Sequence, residues 1–354
     1  MSIYFIILLI FILLVLISFI HLKVTTGVCV SSRHLVGKVV LVTGGTSGIG
    51  YETAADLAER GARVLIASNV RHGDSVRDTI VARSGNTDVH FIYLDLASLE
   101  SVRSVANEIL STQKSLDVLI NNAGVLFTPN IKSDDGISLR LDVLINNAGM
   151  MNGKHEVTED RLVAEIQANY FGPFLLTNLL LPLLMKTPKS RIVNVSSVVY
   201  KLGLIDLDDL NLQRKSCISK YFTYATTKLY IMLMTVELDR RLRGCGVTVN
   251  VVHPGYVATN ILIKDGSVLK KIGLKMFGVF VKTARMGAQT IIYLAVSPEV
   301  TDVSGCYFEE CRLVKLNRKA NDIDLARKLW DKSLQLVHLG PVSPLPDKAP
   351  DRLI

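Results

Sequence analysis

Short, largely apolar runs alternate along this chain with longer stretches whose apolar residues recur at helical spacing. The runs are Val39–Val42, Ala62–Ser68, Val89–Leu94, Arg191–Ser197 and Val247–Val252, and each stops at a glycine, a proline or a polar cluster. Such short runs predict strands, and Val39–Val42 reads as buried on both faces. Between them lie Tyr51–Arg60, with Ala54, Ala55, Leu57 and Ala58, then Asp74–Arg83, Leu99–Leu110, Glu159–Met185, Phe222–Arg243, Met286–Val296 and Asp322–Val337. These read as helices; the fourth is interrupted by Gly172-Pro173 and Pro182, and the fifth buries Leu229, Leu233, Val236 and Leu242. Strands alternating with helices predict an α/β fold, a doubly wound parallel sheet in a single domain over residues 38–338. Gly305–Phe308 adds a last short strand. Leu204–Lys220 is polar and irregular, and residues 339–354 form a proline-rich tail. Ile261–Val281 mixes lysines with large apolar residues. It reads either as a substrate lid lying on a membrane surface or as an amphipathic helix covering the sheet.

One part of the pattern occurs twice. Leu116-Asp-Val-Leu-Ile-Asn-Asn-Ala-Gly124 returns unchanged as Leu141–Gly149, a period of 25 residues within a duplicated strand-loop segment, 116–149. Two copies cannot make a solenoid, and a parallel sheet has one slot for this strand. The second copy is the expected occupant, because it runs into the following helix without an insertion. The excess then falls away from the carboxyl ends of the strands, as a spare apolar strand with free edges.

The amino-terminal stretch, residues 1–22, is almost wholly apolar, with no charge before Lys23. That length spans a bilayer core as a helix. A cleaved signal peptide would need a basic start and a small-residue cleavage site, and neither is present. Lys23, Arg33 and Lys38 follow the span, which places the rest of the chain in the cytosol. The expectation is a single-pass endoplasmic reticulum protein with residues 23–37 as a linker. Composition narrows the partners. Forty Lys and Arg against 32 Asp and Glu give a net charge of +8, suited to an anionic cofactor or an acidic membrane surface. No basic run is interleaved with aromatics, so nucleic acid is not expected. The five cysteines have no metal-ligand spacing, no metal is expected, and their odd number points to a reducing compartment.

The candidate chemistry begins after the first strand, at Thr43-Gly44-Gly45-Thr46-Ser47-Gly48-Ile49-Gly50. Glycines let such a turn be tight and let the backbone approach a pyrophosphate, while the helix start offers free N–H groups to that anion. The strand, turn and helix make a Rossmann-like first half. At the end of the second strand, Ser68-Asn69-Val70-Arg71 carries no carboxylate for a ribose diol and one guanidinium. This favours a 2′-phosphate, hence NADP(H), with Asn69 and Arg71 as contacts. Asp95-Leu96 ends the third strand, where a carboxylate can meet an adenine amine. Tyr224 and Lys228 stand one helical turn apart, and Ser197 ends a strand. A neighbouring ammonium is expected to lower the phenol pKa, so that Tyr224 exchanges a proton with an alcohol or carbonyl while Ser197 hydrogen-bonds the reacting oxygen.

These motifs together, from about Lys38 to Trp330, resemble the short-chain dehydrogenase/reductase family. They are the Thr43-Gly44…Gly48-Ile49-Gly50 turn, Asp95-Leu96, Asn-Asn-Ala-Gly, Ser197, Tyr224…Lys228 and Pro254-Gly255…Thr259. The resemblance implies that Lys228 also holds the nicotinamide ribose, and that Asn169 positions a water for proton relay. It implies that Asn147, Ala148 and Gly149 line the cofactor and that Pro254, Gly255 and Thr259 border the nicotinamide. Finer features resemble the retinol dehydrogenase group of that family: the amino-terminal stretch, Ser190–Ser197, His253-Pro-Gly255 and Ala326-Arg-Lys-Leu-Trp330. They imply an oxidoreductase acting on a lipophilic alcohol or carbonyl, retinol/retinal first, with steroids or fatty aldehydes as the alternative and a homodimer compatible with it. Two features depart from that group: Asn69 stands where it usually has an arginine, and the doubled segment has the form of two alternative coding segments read together. Distortion of the crevice by the spare strand would leave a catalytically impaired nucleotide-binding protein.

Overall fold

The computed structural model describes residues 24–122, 131–132, 138–139, 156–213, 220–257 and 281–340. An eight-stranded sheet fills the centre. Its strands are β1 (Val39–Thr43), β2 (Arg63–Ser68), β3 (Val89–Tyr93), β4 (Val118–Asn121), β5 (Arg191–Val195), β6 (Thr248–His253), β7 (Tyr307–Glu309) and β8 (Arg312–Val314). Their order is β8-β7-β6-β5-β4-β1-β2-β3, parallel except for the β7–β8 hairpin. The order reverses between β1 and β4, the place where doubly wound sheets open a ligand crevice at the carboxyl ends of their strands. A separate two-residue ladder pairs Ile131–Lys132 with Ser138–Leu139.

Each central strand feeds both faces, because successive side chains point opposite ways. Val40, Val42, Ile120 and Val193 pack under α1 (Gly48–Glu59) and α6 (Ala284–Val296), while Leu41, Leu119 and Ile192 pack under α3 (Leu99–Thr112), α4 (Ala164–Lys186), α5 (Lys220–Arg241) and α7 (Ile323–Leu336). Helix α2 (Gly73–Ser84) flanks α1 and β3. Helix α4 is long and apolar enough to cross a membrane, yet most of it is buried inside the domain, so it is a core helix. Its turn Gln167–Phe171 is π-helical, a local widening of the kind that marks functional sites. Ahead of β1 the chain runs along the domain: Leu35 is buried and exchanges backbone hydrogen bonds with Arg60 and Lys38.

The structure corrects the expected occupant of the central slot. The first copy, Val118–Asn121, pairs with β1 on one side and β5 on the other. Closure entropy explains the choice. Twenty-five residues added to the five-residue connection Gln113–Asp117 cost more than the same number added to the long connection from Asn122 to Val163. The cost grows with the logarithm of length, and the difference is about 1 kcal/mol. The additional residues therefore enter on the crevice side, opposite to expectation. Asn122 borders the crevice at the end of β4; Asn146, Asn147, Ala148, Gly149 and Thr259 lie outside the described residues. Residues 1–23, the segment 258–280 and the tail from 341 also lie outside them. Strand β8 was not predicted: its three residues are exposed or half-buried and leave no apolar run.

Candidate active site

The glycine turn after β1 closes by backbone necessity. Gly44 and Gly48 have φ of 64° and 53°, in the left-handed region. A Cβ on Gly50 would stand 2.2 Å from the Gly44 carbonyl oxygen and 2.5 Å from Asn122 Nδ2. Helix α1 starts at Gly48 with Ser47 at its cap, extended and making no side-chain capping bond, and no acidic residue in its first turn. Its leading N–H groups are thus open to an anion. Thr46 Oγ1 donates to Ser68 Oγ at 3.1 Å, drawing the turn to the end of β2. Beyond β2, Asn69 is half-buried, and Arg71 is exposed without an ion pair among the described residues. Asp95 is half-buried at the end of β3, where its Oδ1 accepts from Ala97 N at 3.0 Å; Leu96 is buried beside it.

From the other side come the ends of β4, β5 and β6. Asn121 Nδ2 donates to Thr177 Oγ1 and to Asn194 Oδ1, both at 2.9 Å, which fixes it in the core. Asn122 reaches the crevice: its N–H donates to Thr43 Oγ1 at 3.1 Å and its Nδ2 to the Thr43 carbonyl at 3.2 Å. Ser197 follows β5. Tyr224 and Lys228 come from α5, buried at 7% and 2% exposure, and the ammonium lies 5.6 Å from the tyrosine ring centroid. Lys228 Nζ donates to the Val195 carbonyl at 3.1 Å. Asn169 sits in the π turn of α4, where its Nδ2 donates to Thr227 Oγ1 at 3.3 Å. Pro254 and Gly255 follow β6, Gly255 at a φ of 90°.

The electrostatics depart from expectation at Tyr224. Burial pushes its pKa up; Ser197 opposes this and the charge of Glu165 adds to it. Ser197 favours the phenolate without completing hydrogen-bond geometry, since the phenol oxygen is buried with no partner. Burial also draws Lys228 down, to about 7. The protein alone therefore keeps Tyr224 protonated. His253, buried before Pro254, is lowered to about 4, by burial first and by Lys282 second.

A nicotinamide dinucleotide can be tested against this geometry. Ser47 Oγ, Asn69 Oδ1, Asn122 Oδ1 and Tyr224 OH are all buried polar atoms without partners among the described residues, and all belong to the predicted set or to its first-copy equivalent. Buried polar groups are rarely left so, and the glycine turn is a cradle that Cβ atoms would fill. The residues fit the cofactor. Fold and site define a class: an oxidoreductase that works with a nicotinamide nucleotide bound at the β1/β4 switch point.

The comparisons with known proteins agree. The sequence profile described as short chain dehydrogenase matches residues 38–136 and again 135–208, and the break falls between the two copies of the nonapeptide. Retinol dehydrogenase 14 of Homo sapiens is 42% identical over 319 residues, covering 86% of this chain and 87% of its own. Retinol dehydrogenase 11 of Mus musculus is 39% identical, over 89% of this chain and 91% of its own. An uncharacterised protein from Mycobacterium Paratuberculosis superposes with a TM-score of 0.66 at 28% identity, over 90% of this chain and all of that one. A short chain dehydrogenase from Salmonella enterica, 21% identical with a TM-score of 0.55 over 79% of this chain and 97% of that one, shares the fold. The chain belongs to the short-chain dehydrogenase family.

Proposed function

We propose that this protein is an NADP(H)-dependent oxidoreductase of a lipophilic alcohol/carbonyl pair, retinol/retinal before steroids or fatty aldehydes. The substrate class rests on the relatives named retinol dehydrogenases. The preference for NADP(H) rests on Asn69 and the exposed Arg71 after β2. When bound, the nicotinamide supplies or accepts the hydride. Tyr224 gives its proton to the carbonyl oxygen in reduction and takes it back in oxidation. Its raised pKa keeps the phenol protonated, and the positive charge of an oxidised nicotinamide would lower it and ease proton transfer. Ser197 donates a hydrogen bond to the same oxygen, Lys228 holds the ribose, and Asn169 passes protons through a water. Gly44–Gly50, Asn122, Asp95, Leu96, Pro254, Gly255 and Thr259 line the cofactor. Residues 38–338 form the catalytic domain, and residues 1–22 anchor it in the endoplasmic reticulum membrane, facing the cytosol.

One observation carries the reading: the partnerless phenol oxygen of Tyr224, buried beside Ser197 and Lys228. The test is a panel of retinal, steroid and fatty-aldehyde substrates with NADPH and NADH, on wild type and Tyr224→Phe. The variant should lose about a thousandfold in kcat while keeping its NADPH affinity; equal turnover would remove Tyr224 from the mechanism. A second reading, nucleotide binding without turnover, is favoured by the entry of 25 additional residues on the crevice side of β4. Wild type that binds NADPH but turns over none of the panel would establish it.

A further inference from the structure

Lys282 is buried and takes no part in the chemistry above. It lies beside the stretch that follows β6. Its N–H donates to the Tyr256 carbonyl at 2.8 Å, and residues 257 and 282 form a parallel bridge. The side chain lies across Gly255, where a Cβ would meet Lys282 Cδ, Cε and Nζ at 2.9 Å. Nζ reaches the Pro254 carbonyl at 3.4 Å and pairs with Glu310 Oε1. The other oxygen of Glu310 accepts from Gly27 N at 2.8 Å, in the chain ahead of β1. Gly27 admits no side chain, for a Cβ there would stand 2.1 Å from the Glu310 carbonyl oxygen.

The hairpin that presents Glu310 breaks local rules. Glu310 and Cys311 form the two-residue β7–β8 turn with φ of 51° and 57°. Such a turn ordinarily takes Asn-Gly. Two side-chain-bearing residues held left-handed strain the backbone, and a buried ammonium costs desolvation besides. Strain of this kind persists where the surroundings over-determine it and clusters at functional sites. Here it sits against the turn that ends β6.

We propose that Lys282 and Glu310 are positioning residues that clamp the Pro254–Gly255 turn at the nicotinamide end of the site and fasten it to the chain at Gly27. The inference rests on the cofactor reading above. It makes a distinction that a general stabilising role does not. A clamp on the nicotinamide end acts on the intact cofactor and leaves the adenosine half untouched.

The test measures binding to the full chain by titration calorimetry, with NADPH and with 2′-phospho-ADP-ribose, the same molecule without its nicotinamide. Lys282→Met and Glu310→Gln should each weaken NADPH on the order of tenfold, within the usual range for coupled sites, and leave 2′-phospho-ADP-ribose unchanged. The double variant should be no weaker than either single, since both remove one contact. If Lys282→Met does not fold, Glu310→Asp should give a smaller loss confined to NADPH. Parallel weakening of both ligands, or no weakening of either, overturns the clamp. Wild type that binds neither ligand removes the cofactor reading and the clamp with it.

Discussion

Two stretches with one ancestry meet opposite fates in this fold. Residues 116–140 and 141–165 are successive copies in register, identical over their first nine positions and related further on, where Ser133-Asp-Asp-Gly-Ile137 matches Thr158-Glu-Asp-Arg-Leu162. From the first copy the structure takes the strand. Asp117 accepts from Lys38 Nζ at 2.8 Å and from Val39 N at 2.9 Å, and Val118–Asn121 fills the centre of the sheet. From the second it takes the closing turn. Thr158 N donates to the Leu162 carbonyl at 2.8 Å, Val157 bridges Val163, and Asp160 Oδ2 receives Leu99 N at 2.9 Å and Gln167 Nε2 at 2.6 Å before α4 begins. The working unit is a hybrid of the two. An identical nonapeptide is a strand or surplus according to which slot remains open, so its place is set by chain connectivity and not by its own residues.

The largest effect should come from removing the redundancy. Leu119 is fully buried between Leu41 and Ile192, and a carboxylate there would be buried without a partner. Yet Leu119→Asp alone should cost only about 1 kcal/mol, because the unaltered second copy can take the slot for the difference in loop closure. Leu144→Asp alone should be silent, and the double variant should not fold. Urea unfolding followed by circular dichroism reads all three. A Leu119→Asp protein as damaged as the double would show that the copies cannot exchange.

Next comes the crevice residue. Asn122→Ala removes the amide that crosses to Thr43 and the partnerless Oδ1, whereas Asn147→Ala changes the matching residue of the second copy. The first should weaken NADPH binding about tenfold, the worth of one or two hydrogen bonds, and the second should leave it within error. Equal losses would mean that both copies visit the slot during binding.

This contrast also marks what the sequence could carry. The central strands of the parallel sheet are legible as apolar runs, and the amphipathic helices as a 3.6-residue period, because burial on two faces or on one stripe constrains residue type locally. Ser197, Tyr224, Lys228 and the glycine turn are legible because their chemistry fixes both type and spacing. The choice between identical copies is not legible, since it depends on the lengths of the connections at either end. Nor is the pairing of Lys282 with Glu310, 28 residues apart in sequence, the π turn at Asn169, or the raised pKa of Tyr224. That shift follows from depth of burial, which overrides the ammonium visible four residues on.

Deleting residues 125–149 tests the hybrid directly. Because the nonapeptides are identical, the product is the same chain that deletion of 116–140 would give: one strand running into the Thr158 turn. It should keep the fold and gain about 1 kcal/mol from the shorter connection, seen as a rise of a few degrees in Tm. If the additional residues obstruct the crevice, kcat/KM should rise as well. A deletion protein less stable than the full chain would mean that the surplus copy makes contacts of its own.

The smallest effect concerns one dihedral. Arg161 has a φ of 60° at the close of the Thr158 turn, and the matching residue of the first copy is Gly136. A turn closed by a left-handed residue and flanked by an antiparallel bridge is the G1-bulge arrangement, which asks for glycine at that residue. The first copy therefore carries the better turn and the second supplies the one in use. Arg161→Gly relieves about 1–2 kcal/mol of left-handed strain and gives back part of it to the freer unfolded chain, leaving a net gain of about 0.5–1 kcal/mol. Both bonds to the Arg161 carbonyl, from Asn211 Nδ2 and Gln213 Nε2 at 3.1 Å each, involve backbone and survive the change. A loss of stability in Arg161→Gly would show that the guanidinium, not the backbone, holds this turn, and that the second copy's departure from glycine is an adaptation of its own.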